Sequence, residues 1–586
     1  MIFGKHINRY YLRYGPVLLL GVMALLIVDY MQLKVPEFYS IMVDGLNGKG
    51  TDFTMDYLLD GICLPLIFVI LCMVVGRFLW RICFYGSAIR MEADLRGRMF
   101  DHSKDLSCQY YQVNKVGTMM ALFTNDLETI QECFGDGVLM TCDAVMMGAL
   151  SIIKMWRMNP VLTGFSLIPM ALLLAVSTVV GKYMMSKWEK RQEAYSDLSD
   201  FAQESFSGIA VIKAFVKESK ELWAFKKLNK DNEKANVTYV KVSTIFHILV
   251  TLFVESVICV ILGYGGYLVH EEAFTAGMLV EFIGYFNSIV WPIMAVSQLI
   301  DMISRGRASL KRVSELLDAP QDVRDREDVK EPAEPLRGGI EVRDLTFRYP
   351  DGEYDVLQNV SFKLEPGQSL GIVGKTGCGK TSLVDLLLRT YNVPDGSIFF
   401  DGNDVNEIPI RTVREACAYV PQDNFLFSDT IARNIAFGME ESEEIREKAR
   451  HSAILSDVDG DISGFAKGYD TVLGERGVTV SGGQKQRISI ARAIMKDAPV
   501  LILDDSVSAV DTATERTILE GLRTERKDRT TILIAHRVST VENLDRILLL
   551  DDGRVVDFGS HEELLDRCEE YRKMVELQKL EEEVSK

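Results

Sequence analysis

The chain has 586 residues, a formal net charge of −18 and 48% hydrophobic residues. The length predicts several domains, and the acidic balance argues against a nucleic-acid partner, because clustered lysine and arginine bind phosphate backbones. The ten cysteines are scattered without paired spacing, which indicates neither a disulfide framework nor a zinc site.

The N-terminal half contains six apolar stretches that reach the roughly 20 residues needed to cross a bilayer. They occupy residues 16–35, 59–84, 137–156, 161–184, 243–269 and 278–300. Residues 1–14 are amphipathic and basic, which predicts a short interfacial elbow helix. No small-residue cleavage site precedes the first apolar run, so we expect it to be retained. A six-helix transmembrane domain is therefore predicted over residues 15–315.

Lysine and arginine cluster in the connections between spans two and three and between spans four and five, whereas the other connections carry few. The positive-inside rule then places both long connections, both termini and the C-terminal half on the cytoplasmic side. We expect the connections to extend the spans as helices. Their turning points, near residues 113–126 and 205–215, are where a soluble domain could be held.

Three acids lie inside the predicted spans: Asp29, Asp143 and Glu255. A charge at the centre of a span costs about 2.5–3.5 kcal/mol on insertion scales. One interpretation is a polar cavity that handles substrate or protons, with Glu255 the best single candidate. The alternative is an interhelical hydrogen bond or a hydrated position near the interface.

Residues 316–338 are rich in proline and charge and are typical of a linker. The remaining residues, 339–586, alternate short Val/Ile/Leu runs with glycine turns, which predicts an α/β domain. There Gly374, Gly379, Lys380 and Thr381 fit G-x-x-x-x-G-K-[ST] between a strand and a helix. Such a loop surrounds phosphates with backbone N–H groups, while its lysine reaches the β and γ oxygens and its hydroxyl reaches Mg²⁺.

Two further elements follow the glycine loop. The apolar run 500–503 predicts a buried strand that ends at Asp504, where a carboxylate can hold the Mg²⁺ shell. Ser481, Gly482 and Gly483 open a predicted helix, whose N–H groups form a second anion site.

In this order "GKTGCGKTS", "VSGGQKQR", "LILDDSVSAVD" and "IAHRVS" resemble the ATPase domain of ATP-binding cassette (ABC) proteins. With six preceding spans and two long cytoplasmic loops, the whole chain resembles an ABC exporter half-transporter. The resemblance implies ATP and Mg²⁺ as cofactors. It assigns ATP binding to Tyr349 as the adenine-stacking aromatic, Gly374, Lys375, Thr376, Gly377, Cys378, Gly379, Lys380, Thr381, Ser382, Ser481, Gly482, Gly483 and Gln484.

The family pattern also implies Mg²⁺ contacts for Thr381, Gln422 and Asp504, and catalytic roles for Gln422, Asp505 and the switch histidine His536. Asp511 closes the loop that crosses to the partner domain, and residues 474–477 match a segment near the opposite subunit. In this family the Ser-Gly-Gly element of one chain caps ATP held by the glycine loop of another. The chain is therefore expected to pair with a second half-transporter.

Asp505 departs from the family pattern, which usually has glutamate there to polarise the attacking water. Its side chain is one carbon shorter, a retreat of about 1.5 Å, and a misplacement of about 1 Å can cost on the order of 10²-fold in rate. ATP should bind here and be hydrolysed slowly. We favour a heterodimer whose partner supplies the glutamate, and a homodimer in which Asp505 works adequately is the alternative.

The predicted function is ATP-driven export of hydrophobic or amphipathic compounds, such as drugs or lipids, across the cell membrane. An importer with the same fold, as in metal-chelate uptake, and an ATP-gated channel with little pumping are the alternatives.

Overall fold

A computed structural model describes residues 3–48, 54–440, 442–474, 480–507 and 510–585. It divides into two compact units, which we describe separately. The first comprises Met1–Lys104 and Lys115–Ala319, and the second comprises Asp105–Asn114 and Pro320–Lys586.

The first unit is helical. In chain order, and including α5 of the second unit, the helices are α1 Asn8–Gln32, α2 Lys34–Leu46, α3 Met55–Tyr57, α4 Leu64–Lys104, α5 Cys108–Val113, α6 Val116–Ala121, α7 Leu127–Met158, α8 Pro160–Ser207, α9 Ile209–Ala214, α10 Glu218–His270 and α11 Ala276–Leu317. Single π-helical segments, Leu58–Cys63 and Leu122–Asp126, lead into α4 and α7.

Each predicted span is helical in the structure, the first running from α1 into α2 and the second from the π-helical segment Leu58–Cys63 into α4. Among the described residues, five helical stretches are long and apolar enough to cross a membrane: Asn8–Leu46, Met55–Lys104, Val116–Met158, Glu218–His270 and Ala276–Leu317. A shorter apolar helical stretch, Pro160–Leu173, opens α8, where the Asn159 side chain caps the first turn by accepting from Leu162 N at 2.9 Å.

The elbow helix predicted over residues 1–14 is not separated from the first span by a break in secondary structure. Helix α1 begins at Asn8 and continues through Pro16. Contacts with α4 hold this first segment: Tyr10 is fully buried, and Arg9 donates to Asp94 at 2.9 Å. The Tyr10 hydroxyl donates to the same carboxylate. These contacts hold the residues before the proline against α4.

The helices pack closely along several pairs, α7 with α11, α8 with α10, and α1 with α4. At one close approach a Cβ on Gly277 would lie 2.2 Å from the Ser40 carbonyl oxygen, so only glycine fits there. Nearby, Asp44 accepts hydrogen bonds from Thr275 Oγ1 at 2.6 Å and from Gly277 N at 2.8 Å. These contacts tie the start of α11 to α2.

The first long connection turns slightly earlier than the sequence predicts. Residues 105–114, which contain α5, belong to the second unit, and the returning helix α6 already begins at Val116. The predicted turn region 113–126 is therefore mostly helical. The second connection turns at α9, within the predicted region 205–215.

The second unit combines two sheets with helices. Its strands are β1 Ile340–Phe347, β2 Leu357–Leu364, β3 Ser369–Val373, β4 Ile398–Phe400, β5 Asn403–Asp404, β6 Cys417–Val420, β7 Val500–Asp504, β8 Thr530–Ile534, β9 Arg546–Asp551 and β10 Arg554–Gly559. Its helices after α5 are α12 Lys380–Leu387, α13 Ile410–Ala416, α14 Ile431–Ile435, α15 Glu443–Leu455, α16 Asp459–Gly464, α17 Gly482–Met495, α18 Thr512–Glu525, α19 Val538–Val541, α20 His561–Arg567 and α21 Glu569–Ser585.

The larger sheet has the order β10-β9-β3-β8-β7-β6, and the smaller has the order β2-β1-β4-β5. Strands β9, β3, β8, β7 and β6 are parallel, whereas the smaller sheet is antiparallel. The fully buried β7 is typical of a parallel strand covered on both faces. Helices α14, α15, α16 and α17 enclose a separate apolar core that includes Ile431, Ala449, Ile462 and Ile488.

Candidate functional site

The parallel strands bring most of the predicted site residues to one edge of the larger sheet. Gly374 directly follows β3, Asp504 ends β7, and His536 and Gln422 follow the ends of β8 and β6. The carboxyl ends of parallel strands share an edge, and ligands of open α/β sheets bind there.

The glycine loop is shaped by close backbone contacts. A Cβ on Gly374 would lie 2.0 Å from the carbonyl oxygen of Leu550. Gly379 has a left-handed φ of 99°, which glycine adopts without strain. The Lys380 ammonium is buried and donates to the carbonyl oxygens of Gly374 and Lys375 at 2.8 and 2.9 Å. The lysine is thus held against the loop whose phosphates it is predicted to contact.

The other loop residues differ in exposure. Lys375, Thr376 and Gly377 are exposed, whereas Cys378 is buried. Burial raises the pKa of the Cys378 thiol, although the nearby Lys380 ammonium opposes this effect. The thiolate is the reactive form, so this cysteine is less nucleophilic at neutral pH than an exposed one.

Asp504 lies opposite the loop in a strongly acidic corner. Its side chain is 1% exposed, Tyr419 donates to Oδ2 at 3.4 Å, and the Thr381 hydroxyl also bonds to it. Burial raises the pKa of Asp504, and the Asp505 charge adds to the shift. Burial and the Asp504 charge also raise the pKa of Asp385 on α12 to about 6. The Thr381 hydroxyl lies beside the buried Asp504 carboxylate, and the neighbouring acids add negative charge. Such a set of oxygen atoms suits a hard divalent cation.

Asp505 is held in an unusual backbone conformation. Its φ is 45°, in the left-handed region, which aspartate tolerates better than most residues. Its amide donates to the Ile534 carbonyl at 3.1 Å, and its own carbonyl accepts from Gln486 Nε2 at 3.2 Å. The side chain faces His536, with 3.9 Å between Oδ2 and Nε2, which is beyond normal hydrogen-bond length.

The segment that carries His536 is fixed by the C-terminal helix. Gln578 of α21 donates from Nε2 to the His536 carbonyl at 2.8 Å and accepts at Oε1 from Val538 N at 2.7 Å. The backbone on both sides of Arg537 is therefore clamped. Gln578 lies outside the family motifs, and no sequence pattern pointed to it.

Tyr349 approaches the glycine loop from the smaller sheet. Its hydroxyl shares a 2.7 Å hydrogen bond with Ser382 Oγ of α12, and its ring packs edge-on against Tyr391. The Tyr391 hydroxyl in turn donates to Gln112 of α5 at 2.9 Å. No sequence pattern pointed to this pair, which links α5 to the tyrosine beside the loop. Gln422 has an exposed side chain at the same sheet edge.

The Ser-Gly-Gly element lies at the exposed N-terminus of α17. Ser481 Oγ accepts from Gln484 N at 3.3 Å, and Gln484 Oε1 accepts from Ser481 N at 3.0 Å, which forms a capping box. Within the described parts of the chain, no recorded hydrogen bond joins Ser481, Gly482, Gly483 or Gln484 to the glycine loop. In the part of the chain that the structure describes, the two predicted phosphate-binding elements are thus not joined by a hydrogen bond.

Asp511 caps α18, with Oδ1 accepting from Ala513 N at 3.1 Å and from Thr514 N at 3.0 Å. Of the predicted segment 474–477, residues 475–477 lie outside the described residues.

Comparison with known proteins agrees with this arrangement. Residues 18–293 match the family described as ABC transporter transmembrane region, and residues 357–508 match the family described as ABC transporter. The chain is 35% identical to the probable multidrug resistance ABC transporter ATP-binding/permease protein YheI of Bacillus subtilis, over 98% of this chain and 97% of that protein. It is 34% identical to the ATP-dependent lipid A-core flippase of Syntrophus aciditrophicus, over 89% of this chain and 86% of that protein.

Among solved structures, a bacterial Atm1-family ABC exporter with ATP bound matches with a TM-score of 0.75 and 25% identity, covering 98% of both chains. These matches confirm the predicted fold class, a transmembrane domain of the ABC exporter type followed by an α/β nucleotide-binding domain.

Proposed function

The chain belongs to the ABC exporters, with a transmembrane domain and an ATP-binding domain on one polypeptide, and from this premise we propose that it exports hydrophobic or amphipathic compounds as half of a two-chain transporter. The relatives named for multidrug resistance and for lipid flipping support export over uptake and favour an apolar substrate. The observation that carries the proposal is the set of nucleotide-binding groups at one sheet edge of a chain that also carries several apolar spans.

The glycine loop and α12 would bind the ATP phosphates through their N–H groups and the Lys380 ammonium, while Tyr349 stacks on adenine. Thr381, Gln422 and Asp504 would hold Mg²⁺, which neutralises charge on the transferring phosphoryl group. The bonds between Thr381, Tyr419 and Asp504 fix the carboxylate that this ion requires.

Two exposed features support pairing with a second chain. Among the described residues, the N–H groups of Gly482 and Gly483 open α17 at the surface without a hydrogen bond to this chain's glycine loop, and they could cap ATP held by another chain. The second connection also exposes apolar side chains around α9, with Phe206 at 75%, Val211 at 61% and Phe215 at 69% exposure. Clustered apolar surface of this kind marks an interaction site.

Asp505 supports the heterodimer. Its side chain is one carbon shorter than that of glutamate, a retreat of about 1.5 Å, and a general base contributes about 10²–10⁴-fold to a rate. A short acid at this chain's own site is compatible with a working transporter when the partner supplies glutamate at the other site. In a homodimer both sites would carry the short acid, so turnover would depend on Asp505 alone.

Transport direction can be tested in inside-out membrane vesicles with the neutral amphipathic dye N-phenyl-1-naphthylamine. We expect ATP-dependent accumulation of the dye in vesicles that contain this chain with its coexpressed partner. Vesicles with Lys380→Ala in this chain and in the matching partner lysine should accumulate none. ATP-dependent loss of dye from preloaded vesicles would indicate an importer and contradict the proposal.

A further inference from the structure

The C-terminal end of α11 carries acids where a helix favours bases. Its last turn contains Glu315 and no basic residue, and Asp318 is the residue that follows the helix as its C-cap. The partial negative charge at a helix C-terminus is stabilised by cations and opposed by acids. A local sequence that breaks this rule indicates that the compensating groups come from elsewhere in the fold, and such places are often functional.

The N-terminal segment supplies partners for Asp318. Lys5 Nζ donates to Asp318 Oδ1 at 2.6 Å, and His6 Nε2 donates to the same oxygen at 3.1 Å. The hydrogen bond from Lys5 lowers the pKa of Asp318, so this carboxylate is charged at neutral pH. Lys5 is exposed, and exposed ion pairs contribute little stability. His6 is only 6% exposed and Ile7 is fully buried, so burial of these two side chains holds the segment in place.

Helix α4 presents a row of polar residues to the same region. Asp94, Arg98 and His102 follow one another at four-residue spacing, which places them on one face of the helix. Arg98 Nη2 lies 3.5 Å from His6 Nδ1, and His102 Nε2 donates to the Ala319 carbonyl oxygen at 3.0 Å. The His6 ring therefore lies between the guanidinium of α4 and the carboxylate at the end of α11.

The bond from His102 joins two of the points at which the chain passes between the units. One passage runs from Lys104, the last residue of α4, to Asp105, and the other runs from Ala319 to Pro320. His102 precedes the first passage closely, and its bonding partner is the last residue before the second. A displacement at one passage is thus carried to the other by contacts within the first unit.

We propose that His6 and Asp318 are positioning residues that couple ATP turnover to transport. With Lys5, Arg98 and His102 they form what we call the junction clasp, which holds the end of α11 against α4. The clasp makes the two passages move together, so that a movement of the ATP-binding unit reaches both span helices at once. This inference rests on the proposed export function and adds a route within one chain by which the spans follow the nucleotide site.

The variants separate hydrogen bonding from packing at His6. His6→Leu keeps a buried side chain of similar size but removes both polar contacts, whereas His6→Gln keeps an N–H group that can reach the carboxylate. Asp318→Ala removes the acceptor itself. Glu315→Ala is the matched control, because it removes an acid from the same end of α11 that pairs with Lys311 of its own helix at 3.8 Å.

Amide hydrogen exchange tests the clasp without any transported compound. The transporter is purified with its partner in lipid nanodiscs, and exchange is measured over residues 314–319. We expect His6→Leu and Asp318→Ala to speed exchange in this segment about fivefold, the effect of losing one hydrogen bond on local opening. His6→Gln and Glu315→Ala should remain close to the wild type. Unchanged exchange in His6→Leu and Asp318→Ala would overturn the inference.

The second measurement is the amount of dye accumulated per ATP hydrolysed in the inside-out vesicles described above. His6→Leu and Asp318→Ala should lower this ratio several fold with the KM for ATP unchanged, and His6→Gln and Glu315→Ala should preserve it. A ratio preserved by His6→Leu and lowered by His6→Gln would show that His6 serves packing alone. That result, or an unchanged ratio in Asp318→Ala, would overturn the inference while leaving the export function intact. Absence of ATP-dependent accumulation by the wild type would contradict the export function and the coupling role together.

Discussion

Replacing Asp505 by glutamate tests the idea that carboxylate reach limits hydrolysis at this chain's own site. The substitution extends the side chain by about 1.5 Å, and the present gap between Asp505 Oδ2 and His536 Nε2 is 3.9 Å. The longer carboxylate would take the place from which glutamate polarises the attacking water in the family pattern. Because a misplacement of about 1 Å can cost on the order of 10²-fold, we expect kcat for ATP to rise about 10–100-fold.

The ATP-binding groups are not altered by this change, so KM should stay within about twofold. The assay is steady-state phosphate release in lipid nanodiscs by this chain paired with a partner whose own catalytic glutamate is replaced by glutamine, with Asp505→Asn as the matched control. Asparagine removes the charge but keeps the left-handed φ of 45°, and the control should remain near the low wild-type rate. Glutamate is less suited to that φ, at a cost of about 1 kcal/mol, so a slightly lower Tm is expected. A kcat for Asp505→Glu equal to that of the wild type would refute the argument from reach, and a large loss in Asp505→Asn would show that Asp505 is already an effective base.

Three further outcomes test the nucleotide site. Tyr349→Ala should weaken ATP binding about tenfold, because base stacking contributes about 1–3 kcal/mol, whereas Tyr349→Phe keeps the ring and should bind nearly normally; equal losses in both would contradict the stacking role. Because burial raises the pKa of Cys378, alkylation of its thiol should be slow at pH 7 and faster as pH rises toward that pKa. Alkylation should block ATP binding by the wild type, whereas Cys378→Ala should still bind ATP after treatment with the reagent. Equal loss of ATP binding in the two proteins would show that the reagent does not act at the glycine loop. Gln578→Ala should lower kcat several fold with KM unchanged, because the backbone of His536 and Val538 loses the two bonds to the Gln578 side chain. Leu577→Ala on the same helix should hydrolyse ATP at the normal rate, and a change in KM alone would argue against a positioning role for Gln578.

Local sequence patterns predicted the nucleotide loop because its chemistry resides in consecutive residues. Gly374, Gly379 and Lys380 follow one another within a single strand, loop and helix, so their spacing identifies them, although the contact that requires glycine at position 374 comes from Leu550 of β9. Gln578 could not be found in this way, since it acts through two backbone bonds to a segment about 40 residues earlier. Long-range contacts of this kind leave no periodicity and no motif.

The membrane half shows the same division between local and tertiary signals. Apolar length predicted the span helices, because a helix must satisfy its own backbone in lipid. The boundary of the predicted elbow helix leaves no break in secondary structure, since α1 continues through Pro16 and Arg9 and Tyr10 contact Asp94 of α4. Of the three acids in the spans, Glu255 was the best functional candidate from sequence, but its side chain is exposed on α10. The structure instead buries Asp29 and bonds Asp143 to Trp291.

We propose that this chain can hold ATP but depends on a second, different half-transporter to hydrolyse it well. The most direct measurement compares ATP binding and ATP turnover by the purified lone chain with those of the same chain coexpressed with a half-transporter that carries glutamate at the equivalent position. We predict that the lone chain binds ATP with ordinary affinity and turns it over slowly, and that the pair is faster by an order of magnitude or more. Rapid turnover by the lone chain, unchanged by the partner, would contradict the claim.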